Sequence, residues 1–98
     1  MNRDEILNMP AGREMDALIK RHVMGGLPPI FHHINIPLYS IDMSAAWKVV
    51  EKMKDTFSEI CIDADKDWRC YFDNACASAE TAPLAICRAA LIAIVEEK

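Results

Sequence analysis

The side chains best able to do chemistry here are His22, His32, His33, Cys61, Cys70, Cys76 and Cys87. Zinc sites hold their ligands in close pairs such as Cys-x2-Cys. No such pair occurs, so no metal is expected, and the adjacent His32 and His33 read as loop residues. A nucleophilic cysteine needs an exposed thiol of lowered pKa beside a base. Cys76, in a segment that reads as a loop, is the one candidate, and no motif accompanies it. Asp63-Ala64-Asp65-Lys66-Asp67 copies the early ligand positions of an EF-hand loop. Trp68 stands where that loop needs Gly, and Asn74 where it needs a bidentate Glu, so the segment reads as a solvated turn. With no Ser-His-Asp set, glycine-rich phosphate loop or carboxylate pair at helical spacing, the chain is read as non-enzymatic and without a cofactor.

Two groups remain as candidate ligand-binding residues. Pro10-Ala11-Gly12-Arg13 opens a helix with a glycine that admits close approach and an arginine beside unpaired backbone N–H groups, a setting suited to an anion. Tyr39, Ser40, Asp42 and Trp47 gather an aromatic ring, a hydroxyl, a carboxylate and an indole around another helix start. Asp42 also fits as its N-cap and Trp47 as a core residue. Arg88 interrupts the otherwise apolar run Ala82 to Val95 and needs a reason to be there. The candidate binding residues are therefore Tyr39, Ser40, Asp42, Trp47, Arg88, Gly12 and Arg13.

The elements that position them follow from periodicity. Thr81 caps a last helix with Pro83 in its first turn, and Leu84, Cys87, Leu91, Ile94 and Val95 recur at helical spacing. Ile86, Ala90 and Ala93 widen that stripe, and Ala85, Ala89 and Ile92 fall on the side away from it. A helix this apolar must be covered, and its alanines let another layer approach closely, so it should lie across a sheet with the rest of the chain around it. Asn2 caps a short turn through Asn8. Pro10 opens a helix to about Met24, closed by Gly25-Gly26, with Met15, Leu18, Ile19 and Val23 inward. Gly25 to His33 is loop chemistry, and Ile34 to Leu38 reads as a short edge strand because Pro37 cannot donate to a ladder. Asp42 caps a helix from Met43 to about Phe57, with Met43, Ala46, Trp47, Val50, Met53 and Phe57 inward. Glu59 to Asp63 and Trp68 to Phe72 alternate around Ala64-Asp65-Lys66 as a hairpin whose two faces are both partly apolar. Asn74 to Glu80 reads as a linker.

Length and composition restrict the function. Ninety-eight residues with 52% apolar and 27% charged side chains make one globular domain, 1–98, rather than a disordered chain. The net charge of −4, with scattered lysines and arginines, offers no basic stripe for a phosphate backbone, so no nucleic-acid partner is expected. Met1 to Glu5 carries acids where a secretory signal carries bases, and the last helix is shorter than the ~20 residues that span a bilayer. The expectation is a soluble protein of the cytoplasm with reduced thiols and no membrane partner. The side of the last helix bearing Ala85, Ala89 and Ile92 suggests a subunit interface, hence a homo-oligomer.

Three stretches, taken together, resemble the phage ABA sandwich domain family. They are Met1 to Ile19 (MNRDEILNMPAGREMDALI) with Val23-Met24-Gly25; Tyr39-Ser40-Ile41-Asp42 followed by Ala45-Ala46-Trp47-Lys48-Val49-Val50-Glu51-Lys52; and Thr81 to Leu91 (TAPLAICRAAL). Ile41 stands where family members often carry Thr, and Gly26 where Trp is common. The resemblance implies an α+β fold: an α/β/α sandwich with a small antiparallel sheet of about three strands, covered by helices that include the long apolar C-terminal one. It also implies phage origin. With no basic surface and no catalytic set, the first expectation is a counter-defence protein that acts in the host cytoplasm. It would sequester a small host immune signal, a nucleotide, in a pocket between subunits, or block a host defence protein complex. The alternative is a virion or assembly accessory protein, or another structural interaction protein; an enzyme ranks third.

Overall fold

The computed structural model describes residues 2–25, 36–57 and 59–97. Helix α1 (Arg3–Asn8) starts at a capping box in which Asn2 Oδ1 accepts from the Glu5 N–H at 2.9 Å and Glu5 returns a bond to the Asn2 N–H. Helix α2 (Arg13–His22) begins three residues later than the position of Pro10 suggested. Gly12, its N-cap, has φ 152°, a value that stops the helix there and suits glycine. Met15, Asp16, Ile19 and Val23 are its buried side, while Leu18 is only half-buried. Helix α3 (Met43–Met53) is capped by Asp42, whose Oδ2 accepts from the Ala45 N–H at 3.3 Å.

Two expectations for α3 change. The helix ends at Met53, because Lys54–Thr56 turn the chain toward the sheet and carry Phe57 onto Phe72, ring centroids 6.3 Å apart. Its buried side is Ala45, Ala46, Val49, Val50 and Met53, whereas Met43 and Trp47 are exposed. Small residues at Ala45 and Ala46 let α3 lie close to its neighbour, which rotates Met43 and Trp47 out of the contact.

Strands β1 (Ile60–Ala64), β2 (Trp68–Phe72) and β3 (Ala75–Ala79) form an antiparallel sheet in the order β1-β2-β3. The β1–β2 hairpin has Ile62 opposite Cys70 around the turn Asp65–Asp67, as the alternation predicts. The segment read as a linker is instead β3, with Cys70 opposite Ala77, joined to β2 through Asp73 at φ 53° and Asn74. Ala-Cys-Ala-Ser-Ala lacks the β-branched and aromatic residues that signal a strand. Its alanines are there because a helix lies close on them. Of the edge strand expected over 34–38, Ile34 and Asn35 lie outside the described residues, and 36–38 are not strand. The Gly25 to His33 loop, apart from Gly25 itself, lies outside them too.

Helix α4 (Ala82–Glu97) organises the core. It packs on β2 and β3 with one side and on α1, α2 and α3 with the others. Ala85, Ile86, Cys87, Ala89, Ala90, Leu91 and Ile92 are all fully buried. The side that suggested a subunit interface is thus covered within one chain, and α4 no longer supplies a reason for an oligomer. The sheet face away from α4 carries Cys61, Tyr71 and Cys76 in one row and Asp63, Arg69 and Ser78 in the next. Asp63 and Arg69 make an ion pair at 3.0 Å there. All four cysteines are free thiols, with Cys70 and Cys87 buried, Cys76 half-buried in β3 and Cys61 exposed. Among the described residues no helix is long and apolar enough to cross a membrane.

Candidate functional site

The structure separates the candidate residues into three places. Gly12 and Ser40 meet at a buried latch. The Gly12 N–H donates to Ser40 Oγ at 2.9 Å, and the Ser40 hydroxyl and backbone N–H donate to Asp16 Oδ1 at 2.6 and 2.8 Å. Ser40 and Asp16 are essentially inaccessible, so this network joins the start of α2 to the turn before α3. The sequence reading missed Asp16, although its spacing from Ile19 places it on the buried side of α2. Tyr39 is buried beside the latch, and its hydroxyl pKa is raised, first by burial and then by Asp16 and Cys87. Asp42 is occupied as the α3 cap, and Arg13 is exposed at the first turn of α2, next to Glu14 and Asp16.

Arg88 lies at a second place. Its Nε and Nη2 donate to the Met9 carbonyl at 3.3 and 3.0 Å, and its Nη1 donates to the Ser78 carbonyl at 2.9 Å. One guanidinium thereby ties the α1–α2 loop to β3 across α4. Among the described residues no carboxylate bonds to it. Burial lowers its pKa, opposed by the charge of Glu80. Around it is a cleft of about 390 Å3 lined by Pro10, Ala11, Asp67, Ser78, Glu80, Thr81 and Leu84. Backbone carbonyls hold Arg88, and for that reason its partners left no mark in the side-chain sequence.

Trp47 marks the third place. Helix α4 packs chiefly on β2 and β3, and Ile60 and Ile62 of β1 share a groove with residues of α3. This groove, of about 700 Å3, has Val50, Phe57, Ile60 and Ile62 along it, Trp47 at one side, and Glu51 and Lys54 charged within it. Leu38, Ile41 and Met43 are exposed at the start of α3, and Met43 and Trp47 are four residues apart on one helix face. Among the described residues no three of His, Cys, Asp and Glu gather as a metal would require, and His32 and His33 lie outside them.

Fold and site together define a small α+β sandwich that offers grooves for binding. The chain belongs to the phage ABA sandwich domain family, which matches residues 17–91. A crystal structure of a phage protein from Bacillus cereus ATCC 14579 is similar, with TM-score 0.71 and 27% identity over 89% of this chain and 95% of that one. No curated protein matches. The sandwich with a three-stranded antiparallel sheet and an apolar C-terminal helix, expected from the sequence, is the fold observed.

Proposed function

We propose that this phage-family protein works by binding rather than catalysis, as a counter-defence protein that blocks a host defence complex through the face formed by α3 and β1. One observation carries this reading. Met43 and Trp47 are 40% and 50% exposed four residues apart on α3, Trp47 lines the groove, and Leu38 and Ile41 are 54% and 57% exposed in the turn before that helix. Apolar surface gathered in that way costs solubility unless a partner covers it. The test is to express the protein in hosts carrying individual defence systems and challenge them with a sensitive phage. Protection of the phage should be lost in Met43→Glu and Trp47→Glu, whose circular-dichroism melts should match the parent. Retained protection in both variants would move the working surface elsewhere, and co-sedimentation with purified virions in place of protection would favour the virion-accessory role.

A second reading rests on Arg88. A guanidinium whose hydrogen bonds among the described residues go to carbonyls keeps its positive charge, offset in part by Glu80, and an anionic ligand in the adjacent cleft would gain from it. This supports sequestration of a nucleotide signal, although Asp67 and Glu80 in the same cleft oppose an anion. A thermal-shift screen against nucleotides separates the two readings: a stabilising nucleotide whose effect disappears in Arg88→Ala would favour sequestration.

A further inference from the structure

The short segment between α1 and α2 is anchored at both ends. The Met9 carbonyl accepts two hydrogen bonds from Arg88, and the Gly12 N–H donates to the buried Ser40 hydroxyl at 2.9 Å. Between these anchors Pro10 and Ala11 are exposed and line the cleft around Arg88. A wall fixed in this way is in place before a ligand arrives, which removes an ordering cost from binding.

The cleft presents charges of both signs that do not pair with each other. An arginine has five N–H donors, and Arg88 uses three of them on Met9 and Ser78. One N–H on each of its terminal nitrogens is therefore unused among the described residues. The charge of Glu80 acts on Arg88, yet the two form no ion pair, and neither the Glu80 nor the Asp67 carboxylate accepts a hydrogen bond among the described residues. We propose that this cleft binds a free α-amino acid with an apolar side chain, its carboxylate on Arg88, its ammonium on Glu80 and its side chain against Pro10 and Ala11.

Charge selects the class of ligand. The lining carries one positive and two negative groups, so a bare anion meets two carboxylates and a bare cation meets the guanidinium, whereas a zwitterion satisfies both signs. An adjoining hollow that shares Asp67 and Ser78 brings Asp65, Lys66 and Arg69. Asp65 and Lys66 offset each other, and Arg69 is held by Asp63 at 3.0 Å, so that hollow adds no net charge. Size selects further. About 390 Å3 is near the lower end of the ~300–1,000 Å3 of ligand pockets and suits a molecule smaller than a dinucleotide. This binding does not depend on the α3–β1 face, and it differs from nucleotide sequestration in needing Glu80 as well as Arg88.

Isothermal titration with L-leucine, L-methionine and L-phenylalanine tests it. Each is compared with its N-acetyl derivative, which lacks the ammonium, and its amide, which lacks the carboxylate. At least one of the three should bind about tenfold or more tightly than both of its derivatives. Glu80→Gln alters an exposed side chain with no hydrogen bond, so it should keep the parent's melting curve while removing the preference over the N-acetyl form. No binding by any of the three at millimolar concentration, or equal binding of the N-acetyl forms, would overturn the assignment. So would a preference that persists in Glu80→Gln. Binding of AMP that Glu80→Gln strengthens, with all three amino acids silent, would likewise overturn it and leave the cleft to the nucleotide reading.

Discussion

Arg88 and Ser40 illustrate how a polar side chain inside an apolar surface is explained by what it bonds. Arg88 makes three hydrogen bonds to two carbonyls from separate segments, so Arg88→Ala should lower stability by about 2 kcal/mol in urea unfolding. Arg88→Lys should recover little of it, since one ammonium cannot reproduce a planar fork that reaches both carbonyls. Ser40→Ala leaves the Gly12 N–H and a buried Asp16 carboxylate short of partners, at a cost of about 1–3 kcal/mol. A double-mutant cycle with Asp16→Asn should show coupling between the two. That Arg88 needed a partner was legible in the sequence; which partner was not, because a backbone carbonyl has no residue type. Asp16 was passed over because its partner, Ser40, lies 24 residues away in the chain and no local spacing connects the two.

The elements themselves were largely legible where periodicity or capping marks them. Both Asn2 and Asp42 caps, the β1–β2 hairpin and the whole of α4 follow from residue types at fixed spacing. Strand β3 did not, because its alanines are selected by a neighbour distant in the chain rather than by local preference. Met43 and Trp47 read as core for the converse reason: large apolar residues at helical spacing look buried until the position of the adjacent helix is known. The closeness of α4 to its surroundings predicts intolerance of bulk, so Ala89→Leu should cost about 1–3 kcal/mol through overpacking, measured by thermal melting. The thiols on the same interface should be inert. Burial pushes Cys70 up to about 12 and raises Cys87 as well, so native protein should label with maleimide at Cys61 long before either. The sign of the linked pH effect follows: both thiols stay protonated in the folded chain while the unfolded chain ionises them above about 9. Stability is therefore unaffected below that pH and falls as pH rises from there toward 12, and Cys70→Ala with Cys87→Ala should flatten the decline.

For the whole molecule, one helix serves as the common partner of every layer: α1, α2 and α3 touch the sheet chiefly by way of α4. A chain cut after Thr81 should therefore retain no cooperative unfolding transition, checked by differential scanning calorimetry, even though α1 to α3 and β1 to β3 would still be encoded. The order of synthesis gives this arrangement a temporal meaning. Each element that depends on α4 leaves the ribosome before it does, so the early segments emerge with their apolar faces bare and must wait for residues near Val95 before a core can close. In a nascent chain those faces would stay bare, open to chaperones, until α4 has emerged, and a codon or message change that slows translation just before Thr81 would lengthen that exposure without altering a single residue.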